Sequence, residues 1–198
     1  GQYPDPLALN LAIVAEGHDF IRALARANAG REAVADRQVG ADGFKAWDPT
    51  ILKVDKDTEN AYRERLEQSG KNVILLSEEL HEPLHLNAGS GSPIYAVCDP
   101  FDGSFLFQHR IPAMWFSSLA FYDGDGQPLS CVVCDPVHGI FNYAAGPALV
   151  KGGSAHTAVL QGDTLADVKA LTARYRIELR NRPEAVKPDP DNGSIESY

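Results

Sequence analysis

The chain has 198 residues, 44% of them hydrophobic and 23% charged, with a formal net charge of −9. That length supports one substantial core and part of a second, and the composition is that of an ordinary globular protein. The acidic balance argues against a nucleic-acid binder, and no apolar run reaches membrane-spanning length, so neither nucleic acid nor a membrane is an expected partner.

Residues 7–29 suit an amphipathic helix with Leu7, Leu11, Val14, Ile21 and Leu24 as its apolar stripe, stopped by Gly30. The apolar start contains Asn10 and lacks a basic flank, unlike a signal peptide, so the expected location is cytoplasmic. Gly1-Gln2 has no initiator Met, which suggests a processed end or missing residues. Residues 31–50 read as a mobile polar connection. A second helix is expected to start near Asp57 or Thr58, capped by one of them, and to run to Gln68, with Gly70 as its stop. Strands follow near 73–77, 94–98, 115–122, 129–134 and 140–145. Asp123-Gly124-Asp125-Gly126 makes a hairpin turn between two of them, and Gly139 marks another. A strand over 156–161 and a short helix over 164–172 complete the order. The Pro/Asp/Gly-rich stretch from Lys187 to Gly193 reads as an exposed loop.

The chemistry concentrates at Asp99-Pro100-Phe101-Asp102-Gly103-Ser104, with Glu78-Glu79 upstream. Ile94 to Cys98 is an apolar run that reads as a buried strand, and Pro100 is expected to end it. The carboxylates then sit where a strand ends, the place where open α/β sheets put their ligands. Mg²⁺ prefers a few carboxylates plus water and phosphate. Asp99 and Asp102 on one tight turn can share or bridge two such ions, and Glu78 can reach them from an adjacent strand. Gly103 lets the backbone approach a phosphate, and free N–H groups of a helix starting near Ser104 would favour it. The same residues also make a good surface turn, and the pattern alone leaves both readings open.

Two other patterns carry less. Cys131 and Cys134 have C-x-x-C spacing around Val132-Val133, but side chains three apart on a strand face opposite ways, so buried reduced thiols are expected. His81-Glu82-Pro83-Leu84-His85 is formally H-E-x-x-H, but Pro83 disturbs the helix that zinc chemistry needs, and a polar loop is expected. His109 is expected to pack or face solvent.

Taken together, Leu76-Ser77-Glu78-Glu79, Asp99 to Ser104 and Phe107-Gln108-His109-Arg110-Ile111-Pro112 resemble the lithium-sensitive, metal-dependent sugar phosphatases. These are inositol monophosphatase, fructose-1,6-bisphosphatase and relatives. Pro49-Thr50, Val54 to Glu59, Phe116 to Phe121 and Cys131 to Pro136 add to the likeness, which spans residues 8 to 155. The resemblance implies an α/β, layered sugar-phosphatase-like fold: a helix pair on a mostly antiparallel sheet, with an incomplete C-terminal α/β layer. It implies a metal- and phosphate-binding domain over 1–155 and the start of a second over 156–198.

The resemblance assigns roles. Glu78, supported by Glu79, Asp99, the Phe101 carbonyl and Asp102 would hold Mg²⁺, with Asp99 bridging two ions. Ser104 stands where the family has Thr and would orient the attacking water, with Asp55 as its acid/base partner. Asp55 is preferred over Asp57 because Glu59 then falls at the family's acidic position. Asp102, Gly103 and Ser104 would bind substrate. Leu106-Phe107 replaces the family's Asn-Phe, and no W-D-x-A-A-G-like motif follows residue 155, which suggests a chain that lacks its second half. The implied function is a Mg²⁺-dependent phosphomonoesterase acting on inositol phosphate or fructose 1,6-bisphosphate, as a homodimer. The alternative is a non-catalytic metal- or phosphate-binding protein on the same fold. A metal-free hydrolase with paired carboxylates fits poorly, because Asp99 and Asp102 share one turn.

Overall fold

Asp5 and Pro6 start the first helix. The Asp5 carboxylate accepts a hydrogen bond from the Leu7 N–H at 2.9 Å, and Pro6 sits in the first turn, where an absent N–H costs nothing. Helix α1 (Pro6–Arg26) ends where the Ala29 N–H reaches back to the Leu24 carbonyl and Gly30 turns at φ 83°. The computed structural model describes residues 5–37, 49–145 and, as strand backbone, 156–159. Burial of α1 exceeds the expected stripe: Leu7 to Ala15 are all buried. Asn10 lies among them, and its Nδ2 donates to the Leu119 carbonyl at 2.9 Å and to Ser130 Oγ at 3.1 Å, which ties α1 to the sheet behind it.

Two strands replace part of the expected connection. β1 (Ala33–Asp36) pairs antiparallel with β2 (Thr50–Leu52), although all four β1 residues are exposed. Backbone pairing alone makes this ribbon, so no apolar alternation announces it. Helix α2 (Lys53–Gln68) begins four residues before the expected Asp57. Thr58 does not cap it; its hydroxyl donates to the Val54 carbonyl inside the helix.

The remaining strands form one seven-stranded sheet: β3 (Val73–Ser77), β4 (Leu84–Leu86), β5 (Ile94–Asp102), β6 (Phe116–Tyr122), β7 (Pro128–Asp135), β8 (Ile140–Ala145) and β9 (His156–Val159). Their order is β4-β3-β5-β6-β7-β8-β9. Only β3 and β5 run parallel; every other neighbouring pair is antiparallel. Tight turns set the meander. Asp123 Oδ1 accepts from the Asp125 and Gln127 N–H groups in the β6–β7 turn, and Asp135 Oδ1 accepts from Val137 and His138 in the next. The expected helix over 164–172 and the loop from 187 lie outside the described residues.

Strand β5 does not end at Pro100 as expected. It continues to Asp102 through a bulge, because Asp99 pairs with Ser118 while Asp102 pairs with Phe116. Three steps on β5 thus match two on β6, and the extra residue absorbs a proline that cannot donate to the ladder. The bulge is fastened from behind. The Tyr62 hydroxyl donates to Ser117 Oγ at 2.6 Å, and Ser117 Oγ donates to the Pro100 carbonyl at 2.7 Å.

Both long helices pack on one face of the sheet, α1 over β6, β7 and β8, and α2 over β3 and β5. Leu11, Tyr62, Leu75, Leu119, Phe121 and Phe141 are the centre of that core. A smaller cluster of Ile21, Leu52, Val54, Phe101, Phe107 and Trp115 lies beneath the Asp99–Ser104 segment. No helix among the described residues is long and apolar enough to cross a membrane.

Candidate active site

The N-terminus of α2 builds the first half of the site. Leu52 occupies the cap position with extended backbone and no polar side chain. Asp55 substitutes for it: its Oδ2 accepts from the Leu52 N–H at 2.8 Å, reaching back one turn. Its Oδ1 accepts from Ser104 Oγ at 2.7 Å. Asp55 is only 2% exposed, so both bonds lie in a shielded place. Asp57 instead pairs with Lys53 along the helix.

The second half is the turn after β5. Gly103 has φ 106° and ψ 19°, and a short helix, α3 (Ser104–Gln108), follows it. A Cβ on Gly103 would stand 2.6 Å from the Met114 carbonyl oxygen and 3.1 Å from Trp115 Cδ1. Only glycine therefore fits, for conformation and for space. Phe101 anchors the turn from below, with ring centroids 5.3 Å from Phe107 and 6.2 Å from Trp115. The Phe101 side chain is buried and serves packing.

The acidic residues collect at one end of the sheet. Ser77 pairs in parallel register with Cys98, so Glu78, just after the end of β3, stands at the position that matches Asp99 on β5. Asp99 is half-buried and Asp102 is exposed. Arg37, just after β1, bridges the upstream pair: its Nη1 lies 3.3 Å from Glu78 Oε1 and 2.6 Å from Glu79 Oε1. Glu59 is 2% exposed; its Oε2 accepts from Lys56 at 2.8 Å, while Oε1 has no partner among the described residues. Burial pushes the Cys98 thiol up to about 12; a hydrogen bond with Ser77 opposes the rise, and the nearby Glu59 and Asp99 carboxylates add to it. Among the described residues, no three His, Cys, Asp or Glu side chains are drawn together closely enough to hold one ion. The structure thus joins Asp55 to Ser104 directly, and brings Glu78, Asp99 and Asp102 to the same end of the sheet without closing them into a ligand set. The donors are all hard oxygens and include an orphaned buried carboxylate oxygen on Glu59, a chemistry suited to Mg²⁺.

The other motifs fall away from the site. His85 lies within β4 and His81 in the bend before it, so H-E-x-x-H is not helical. Cys134 is buried and Cys131 is half-buried on the opposite face of β7, both as free thiols. Sequence reasoning missed Arg37, Tyr62 and Trp115. Arg37 follows a ribbon without a pattern, and Tyr62 and Trp115 read as ordinary core aromatics.

No family model matches the sequence, and no curated protein matches it. Solved structures do. The fructose-1,6-bisphosphatase of Leishmania major superposes with a TM-score of 0.59 at 15% identity, over 78% of this chain and 50% of that one. The extragenic suppressor protein suhB of Bartonella henselae gives 0.54 at 17% identity, over 75% and 49%. The inositol monophosphatase-II of Staphylococcus aureus gives 0.50 at 20% identity, over 75% and 46%. The chain has the inositol monophosphatase fold. At these identities the likeness is one of architecture, and the chain spans about half the length of each structure. The inositol monophosphatase fold agrees with the expected layered α/β class, a helix pair on a mostly antiparallel sheet.

Proposed function

We propose that the protein is a Mg²⁺-dependent phosphomonoesterase acting on a small sugar or polyol phosphate, with inositol phosphate and fructose 1,6-bisphosphate as the leading substrates. The observation that carries this reading is the 2.7 Å bond from Ser104 Oγ to the buried Asp55 carboxylate, at the turn that ends β5. Ser104 gives its one proton to Asp55, so its remaining lone pairs accept a hydrogen bond from water. A water held there keeps a lone pair aimed at phosphorus. Asp55 then takes the Ser104 proton as Ser104 takes one from the water. The Leu52 N–H fixes the carboxylate while this happens.

The Gly103 and Ser104 backbone N–H groups would face the phosphate oxygens, and the exposed Asp102 would position the substrate. Glu78, Asp99, the Phe101 carbonyl and Asp102 would hold Mg²⁺, which supplies neutralisation of phosphate and leaving-group charge. Arg37 pairs with Glu78 and Glu79, so cation loading would weaken that bridge.

The test is release of inorganic phosphate from inositol phosphate, fructose 1,6-bisphosphate and a nucleoside monophosphate, with Mg²⁺ and with chelator. The reading requires Mg²⁺-dependent release from a polyol or sugar ester. Specific binding of Mg²⁺ and substrate without turnover would favour a non-catalytic binding protein instead.

A further inference from the structure

A cavity of about 450 Å³ opens at the C-terminal end of α1; of the residues around the candidate active site only Trp115, which packs against Gly103, also lines it. Four arginines line it: Arg22 and Arg26 from α1, Arg31 from the segment after it, and Arg110 from the loop after α3. None of the lining residues is acidic. This stands against the formal net charge of −9 for the whole chain, so the positive field is local. The Arg22, Arg26 and Arg110 side chains make no hydrogen bond or ion pair with any described residue, although the Arg110 backbone N–H donates to the Phe107 carbonyl at 3.0 Å. Arg31 is held in place: its Nε donates to the Phe107 carbonyl at 3.0 Å, its Nη1 donates to Asn28 Oδ1 at 2.8 Å, and its guanidinium lies 4.9 Å over the Phe107 ring.

A second observation points to a ligand. Trp115 lines the cavity and is 5% exposed, yet its Nε1–H has no acceptor among the described residues. An indole N–H is a donor only, and a buried one without an acceptor is costly. The side chains that line this cavity are thus rich in donors and carry no acidic acceptor. Guanidinium groups match phosphate oxygens bidentately. Four of them around one cavity offer more positive charge than a single phosphate monoester neutralises, and the volume falls within the range of small-ligand sites, about 300–1,000 Å³.

We propose that this cavity binds a small anion carrying two or more phosphate groups, with Arg22, Arg26, Arg31 and Arg110 on the phosphates and the Trp115 N–H on one of their oxygens. Trp115 Cδ1 stands 3.1 Å from where a Gly103 Cβ would be, so an anion in this cavity would press on the back of the turn that presents Ser104.

The chain has two tryptophans, and a Trp47→Phe background leaves Trp115 as the reporter. Fluorescence is titrated with inorganic tripolyphosphate, pyrophosphate, phosphate and citrate in chelator, so that metal-dependent phosphate binding is silent. The expected result is a saturable change with tripolyphosphate, stronger than with phosphate or citrate. Arg26→Gln and Arg110→Gln alter exposed side chains and should each weaken it by about tenfold. Ser104→Ala should leave it unchanged. No saturable change, insensitivity to both arginine substitutions, loss through Ser104→Ala, or tighter binding of citrate would each overturn the proposal.

Discussion

Ser104 Oγ and Asp55 Oδ1 lie 2.7 Å apart, joined by a hydrogen bond that spans 49 residues of sequence. One residue opens α3 and the other lies in the first turn of α2, so this contact locks the N-terminus of α2 to the end of β5. The second Asp55 oxygen holds the Leu52 N–H. One carboxylate thus caps a helix and partners a hydroxyl.

The double use predicts a stability cost apart from any chemistry. Asp55→Ala removes the acceptor of a buried N–H and of a hydroxyl, and should cost about 1–2 kcal/mol. Ser104→Ala leaves the Leu52 bond intact and should cost less. Urea unfolding of both variants measures the difference; equal losses would mean that the cap contributes nothing.

Gly103→Ala should be among the most damaging single changes. The alanine would hold φ near 106° and put its Cβ 2.6 Å from the Met114 carbonyl. Strain and overpacking together predict a loss on the order of 2–4 kcal/mol. Thermal unfolding should place this variant well below Phe105→Ala, which trims an exposed side chain next to the same turn.

Much of the sheet was legible, because β6, β7 and β8 are short, mostly apolar runs and Asp123 to Gly126 spell out a turn. Asp99 to Asp102 lie inside β5, on its bulge, and only Gly103 and Ser104 follow the strand. What escaped had no local signal. β1 is wholly exposed, and β4 has three residues. The start of α2 carries no local signal because its cap is a leucine served by Asp55 from inside the helix. Pro100 suggested an end to β5, but the bulge and the Tyr62–Ser117 relay carry the strand past it. The arginine cavity gathers residues from α1 and from the loop at Arg110, a proximity that only the tertiary fold creates.

The relay itself can be cut. Tyr62→Phe removes the hydroxyl that donates to Ser117 and leaves a buried oxygen short of a partner. The expected cost is about 1–2 kcal/mol, read by chemical denaturation. Because Ser117 holds the Pro100 carbonyl, amide exchange should also quicken around the Asp99–Asp102 bulge and not around the β6–β7 turn.

Alkaline pH should destabilise the fold through its thiols. Burial raises Cys98 to about 12, and burial raises Cys134 as well. A folded thiol with a raised pKa keeps its proton where the unfolded chain has lost it. Its stability contribution is therefore full below about pH 8.5 and falls as pH rises towards the folded value. Between pH 8.5 and 10 the wild type should lose about 1 kcal/mol more than Cys98→Ala. Parallel pH profiles for the two proteins would contradict this.

The central claim is that Ser104, held by Asp55, activates water for attack on a phosphate ester. The most direct measurement is steady-state phosphate release with Mg²⁺ by the wild type and Ser104→Ala, on whichever of inositol phosphate and fructose 1,6-bisphosphate is turned over. The account predicts that Ser104→Ala lowers kcat by about 10²–10³-fold with KM little changed. Turnover by Ser104→Ala equal to that of the wild type would contradict it.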